Sequence, residues 1–72
     1  MVLKALRQKA NLTAEKVADL VGLRQSNVTA YEKRFENRSI TLKSLIRLAS
    51  ACGYKVQVVF VKDTEEVRVD VQ

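Results

Sequence analysis

Two hydrophobic periods divide the chain. As far as Tyr54 the apolar residues recur at helical spacings of three and four; beyond it they alternate. Leu3, Leu6 and Ala10 share one face and predict a first helix over Val2–Ala10, broken by Asn11. Thr13 is suited to cap a second helix, and Glu15 then sits near its positive end. Val17, Ala18, Leu20 and Val21 supply its expected buried face, and Gly22 ends it. Leu23 is expected to plug the core as the chain turns. A third helix is predicted from Gln25 to Lys33, with only Val28 and Tyr31 strongly apolar. A fourth, capped by Thr41, runs from Leu42 to Cys52, and Gly53 stops it. Its wide apolar face comprises Leu42, Leu45, Ile46, Leu48, Ala49 and Cys52.

The tail reads as strands. Val56, Val58 and Phe60 alternate with Gln57, Val59 and Val61, and Val67, Val69 and Val71 alternate with Arg68 and Asp70. Asp63 and Thr64 lie between the runs, where a hairpin turn would fall. The first strand, 55–62, is apolar on both faces. One face is expected to pack on the helices, and the other then needs a cover, as does the exposed edge. A dimer in which strands of two chains join one sheet meets both needs. Val56, Val58, Val59, Phe60 and Val61 are therefore the candidate dimerisation residues. The chain divides into a helical head, 1–54, and a β element, 55–72, expected to form one compact unit.

Composition narrows the chemistry. The 72 residues include no His, no Pro and a single Cys. A zinc site and a Ser-His-Asp or Cys-His arrangement lack their parts. Gly22 and Gly53 stand too far apart for a glycine-rich phosphate loop. No enzyme, metal, cofactor or small-molecule substrate is expected. The longest apolar run, Val58 to Val61, is far too short to span a membrane. No signal-peptide pattern opens the chain, so the expected location is the cytoplasm. Cys52 reads as a small core residue rather than a redox sensor.

Charge sharpens the division. The net charge is +5, but residues 1–54 hold ten basic and four acidic residues, while 55–72 hold three and four. The excess of six positive charges on the head suits a polyanion, nucleic acid being the usual one; a merely solvated surface is the alternative. The third helix favours the first reading. Gln25, Ser26, Asn27, Thr29 and Ala30 are small or amide-bearing, which packing explains poorly. Amides can bond adenine edges in pairs, and hydroxyls reach bases or phosphates, so such a helix suits the major groove.

The segment from Leu12 to Glu32 resembles the helix-turn-helix of the Cro/CI (XRE) family, whose common pattern is L-T-Q-x-x-L-A-x-x-x-G-[VI]-S-Q-x-x-[IV]-S-x-x-E. Leu12, Thr13, Ala18, Gly22, Gln25, Val28 and Glu32 match it, and Val17, Leu23 and Thr29 are conservative variants. The resemblance covers residues 3–53. It implies a mainly α, four-helix lambda-repressor-like domain, here followed by a β-hairpin or strand pair. It places Gln25, Ser26 and Thr29 at base-facing positions, with Asn27 close by, and Thr13 and Arg24 near phosphates. Lys33, Arg34, Arg38 and Lys43, in and after a basic loop, are further phosphate candidates. Arg7 and Glu32 match a partly buried ion pair of the family. Three positions depart from the pattern. Ala14 replaces a glutamine that often contacts DNA, Arg24 replaces a Ser cap, and Arg34 stands where Gly is common, so the third helix either extends or turns later, near Asn37.

The tail is similar to those of family members that act as antitoxins in bacterial toxin–antitoxin operons. That resemblance implies a homodimeric repressor of its own operon, reading a palindromic operator and binding a cognate toxin. Glu65 and Glu66 are either solvated charges at the turn or contacts for a basic toxin surface. A phage-type or stand-alone regulator without a toxin, and an adaptor that has lost DNA binding, are the alternatives.

Overall fold

The computed structural model describes residues 2–71 and contains four helices followed by a two-stranded antiparallel hairpin. The helices are α1 (Val2–Lys9), α2 (Ala14–Val21), α3 (Gln25–Glu36) and α4 (Leu42–Ala51). The strands are β1 (Gln57–Lys62) and β2 (Glu65–Asp70). The fold class is thus the expected one. Two helices are capped as their sequences demand: Thr13 Oγ1 accepts from the Lys16 amide at 3.0 Å, and Thr41 Oγ1 from the Ser44 amide at 3.2 Å.

All four helices end the same way. A residue with left-handed φ follows each one: Asn11 at 58°, Gly22 at 71°, Arg38 at 60° and Gly53 at 85°. In each case the next amide reaches back five residues to a helix carbonyl: Leu12 to Arg7, Leu23 to Ala18, Ser39 to Arg34 and Tyr54 to Ala49. This 6→1 closure satisfies carbonyls that a helix end leaves open. The closure at Arg38 also explains why α3 runs to Glu36 instead of stopping near Lys33. Arg34 stands where glycine would permit an earlier left-handed turn, so the helix continues to Glu36 and turns at Arg38, next to Asn37.

The core lies between the helices. Leu3, Ala14, Val17, Ala18, Val28 and Leu48 form its buried cluster, and Leu6, Leu12, Tyr31, Phe35, Ile40, Leu45 and Cys52 pack around it. Ala14 is therefore a packing residue, and its methyl group fits a place too enclosed for a DNA contact. Some expected core residues are not in it. Leu20 is 55% exposed and Leu42 46%, because the buried arcs of α2 and α4 centre on Val17–Ala18 and Leu48–Ala49, leaving the other two at the flanks.

The hairpin overturns a further expectation. No residue of either strand belongs to the core, so neither face of the sheet packs on the helices. The molecule is accordingly elongated, 41 Å by 22 Å by 19 Å. Asp63, at φ 51°, makes the turn with Thr64. The register sets Val58 opposite Val69 and Phe60 opposite Val67, so these four side chains share one face. The other face is mixed: Val59 lies opposite Arg68 and Val61 opposite Glu66, and Gln57 donates to Asp70 at 2.8 Å. Val56 and Val58 are half-buried, whereas Val59, Phe60 and Val61 are exposed.

Candidate nucleic-acid interface

The outer surface of α3 is built from its inner one. Val28 is 1% exposed and anchors the helix, with Tyr31 and Phe35 packed against the same core. Glu32, one turn after Val28, is buried too, at 5% exposure. Its carboxylate is met from α1 by Arg7: Nε donates to Oε2 at 2.9 Å, and Nη2 approaches Oε1 at 3.5 Å. Arg7 Nη1 also donates to the Leu12 carbonyl at 3.3 Å, which ties the α1–α2 turn into the same network. Paired and hydrogen-bonded, these charges are tolerated in a place where either alone would be costly. The network fixes the rotation of α3 about its axis, and with it the direction of every exposed side chain.

Helical geometry then sorts the candidate residues. Ser26, Thr29, Ala30 and Lys33 lie on the flank away from Val28, with Gln25 at the helix start beside them. Gln25, Ser26, Asn27 and Thr29 are all exposed. Thr29 Oγ1 donates to the Ser26 carbonyl at 3.0 Å, so its hydroxyl proton is engaged by the helix backbone. Asn27 does not share that flank. It lies on the opposite side with Arg34, whose guanidinium sits 5.5 Å from the centre of the Tyr31 ring.

The basic candidates frame this helix. Thr13 is exposed at the start of α2, where its hydroxyl is engaged as the cap. Arg24 occupies the cap position of α3 but makes no side-chain cap bond there. Lys33 and Arg34 lie in the last turns of α3, Arg38 in the left-handed residue after it, and Lys43 in the first turn of α4; all are exposed.

Three roles escaped the sequence. Arg47 Nη2 donates to the Val21 carbonyl at 2.6 Å, joining α4 to the open end of α2. Glu36 Oε1 accepts from the Val2 amide at 2.9 Å, placing a carboxylate at the positive end of α1. Arg38 holds a conformation that residues with a Cβ seldom adopt. None of these has a local signature, because each joins residues brought together by the fold or by its turns. Burial pushes the Cys52 thiol above its ordinary pKa; nearby Arg7 opposes this and Glu32 adds to it.

Among the described residues no group of three or more His, Cys, Asp and Glu could hold a metal ion, and no helix is long and apolar enough to cross a membrane. A family model described as helix-turn-helix matches residues 3–59, which takes in all four helices and the start of β1. No curated protein matches the chain. The match covers well over half of the sequence and the whole candidate interface: the chain belongs to the XRE-type helix-turn-helix family of DNA-binding regulatory proteins, which are not enzymes.

Proposed function

We propose that this chain is a sequence-specific repressor of transcription that binds duplex DNA as a homodimer and autoregulates its own operon as the antitoxin of a toxin–antitoxin pair. The observation that carries the DNA reading is the composition of the exposed α3 flank. Gln25, Ser26, Thr29 and Lys33 stand on a helix whose rotation is held by Val28 and the Arg7–Glu32 pair. Inserted in the major groove, Gln25 offers a paired acceptor and donor to a base edge, and the methyl groups of Thr29 and Ala30 suit thymine. Thr13, Arg24, Lys33, Arg34, Arg38 and Lys43 hold the phosphates, which positions the helix without reading sequence. The exposed apolar hairpin supports the homodimer. A two-fold pair would set two recognition helices about 34 Å apart, the spacing of a palindromic operator. The antitoxin role rests on the likeness of the tail to that subset of the family, and it implies action in the cytoplasm, on the nucleoid.

A gel-shift titration with the DNA upstream of its own reading frame tests the repressor. Binding at least about a thousand-fold tighter than to a scrambled duplex supports it. Equal affinity for both, or none, overturns it in favour of a protein-binding adaptor. Co-expression with the product of the adjacent frame tests the toxin: a stable complex supports the antitoxin role, and its absence leaves a stand-alone regulator.

A further inference from the structure

The exposed flank of α3 lacks the groups that read guanine and cytosine. Guanine is read by an arginine or lysine at its O6 and N7, and cytosine by a carboxylate at its amino group. From Gln25 to Ala30 the flank holds Gln25, Ser26, Thr29 and Ala30, none of them charged. Arg24 precedes the helix, at its cap, and Arg34 lies on the other side, over the Tyr31 ring. Lys33 shares the flank. It stands about 12 Å along the axis from Gln25, however, beyond the about 8.5 Å depth of the major groove, so it meets the phosphate rim when the helix enters by its N-terminus. We propose that α3 reads A·T pairs. The operator half-site then holds a short block of them, with an adenine bonded by Gln25 and a thymine whose C5-methyl group packs on Thr29 and Ala30.

Each contact follows from what the side chain leaves free. Gln25 is exposed at the first position of α3, and no described residue takes up its carboxamide. A carboxamide carries both acceptor and donors, which match the N6 amino group and N7 of adenine. Thr29 is exposed too, but its hydroxyl proton is engaged by the Ser26 carbonyl at 3.0 Å. It has no proton left for a base acceptor, and its methyl group remains, with that of the half-buried Ala30, to meet thymine. The Ser26 hydroxyl bonds either kind of pair and excludes neither. Gln25 and Thr29 are one helical turn apart, about 6 Å, which is no more than about two base-pair steps of about 3.4 Å. The adenine and the thymine are therefore close neighbours, and the block is about three pairs long.

The inference rests on the reading of the chain as a sequence-specific DNA-binding protein, and one experiment separates the two. The full chain is used to select bound duplexes from a randomised pool. The selected half-sites should share a block of A·T pairs with no fixed G·C pair inside it. Uracil in place of thymine in the block removes only the methyl group and should weaken binding about threefold or more. N6-methyladenine at the adenine obstructs its N6–N7 edge and should weaken binding about tenfold or more. The Gln25→Ala chain should bind the methylated and unmethylated duplexes alike, with its helical circular dichroism unchanged because the position is exposed. A guanine or cytosine fixed within the block overturns the proposal and leaves the DNA-binding reading in place. So does equal affinity for the uracil and thymine duplexes. So does a block that Gln25→Ala selects unchanged, since DNA shape would then be what is read. A pool that emerges unenriched overturns the sequence-specific reading itself, and the proposal with it.

Discussion

Arg7 Nε lies 2.9 Å from Glu32 Oε2 and joins α1 to α3 across twenty-five residues of sequence. The side chains are only 12% and 6% exposed, so each charge depends on the other. Glu32→Ala should destabilise the fold by about 3–5 kcal/mol, because it leaves a guanidinium buried without its partner. Urea denaturation measures this. The double replacement Arg7→Met with Glu32→Leu should recover much of the loss, since it removes both charges together. A double variant as unstable as the single one would show that the penalty is lost packing.

Gln25→Ala should weaken binding to the operator by about 1–3 kcal/mol and leave non-specific binding nearly unchanged. Titration of both duplexes at one salt concentration checks it. An equal loss on both would make Gln25 a backbone contact.

Arg38 separates stability from binding. At φ 60° it occupies a conformation that glycine adopts without penalty. Arg38→Gly should raise stability by about 1 kcal/mol. If the side chain holds a phosphate, the same change weakens DNA binding on every sequence and lowers the salt slope by about 1. Thermal unfolding and a salt series read the two effects independently.

Ending the chain after Tyr54 should leave helices that still fold, because among the described residues none beyond Cys52 belongs to or packs on the core. A domain of this size is only marginally stable, so the melting temperature should be low. The shortened chain should sediment as a monomer. A stable dimer from it would place the interface on the helices alone.

Cys52 should be a slow nucleophile. Its pKa is raised chiefly by burial, so at neutral pH the thiol stays protonated and alkylation should be slower than in the urea-unfolded chain. The linked stability is complete below the ordinary thiol pKa. It declines as pH rises through that value towards the folded one, because the unfolded chain ionises first. Alkylation as fast as in the unfolded control would show a thiol free of that burial.

Much of the fold was legible because its signals are local. Thr13 and Thr41 cap helices through bonds that span three residues. Gly22 and Gly53 stop helices because their own backbone takes a left-handed φ, and Val67 and Val69 alternate with Arg68 and Asp70 because a strand does. The polar residues of α3 were visible for the same reason: a helix with one thin apolar stripe has an exposed side whatever it packs on. The extension of α3 to a turn near Asn37 was legible from Arg34 standing where glycine is common, but that Arg38 takes the left-handed φ was not, because that residue type carries no turn signal.

The sequence by itself determined the elements, their caps, the hairpin turn and the polar flank of α3, since each follows from dihedral preference or hydrophobic period within a few residues. Only the tertiary structure decided which apolar residues are core. Leu20, Leu42 and Phe60 are as hydrophobic as Leu3 and Leu48, yet the first three are exposed. Burial depends on which faces of other elements arrive, and period alone does not record that. The same holds for the bonds of Arg47 to Val21 and Glu36 to Val2, and for the hairpin that stands away from the helices with its apolar face uncovered.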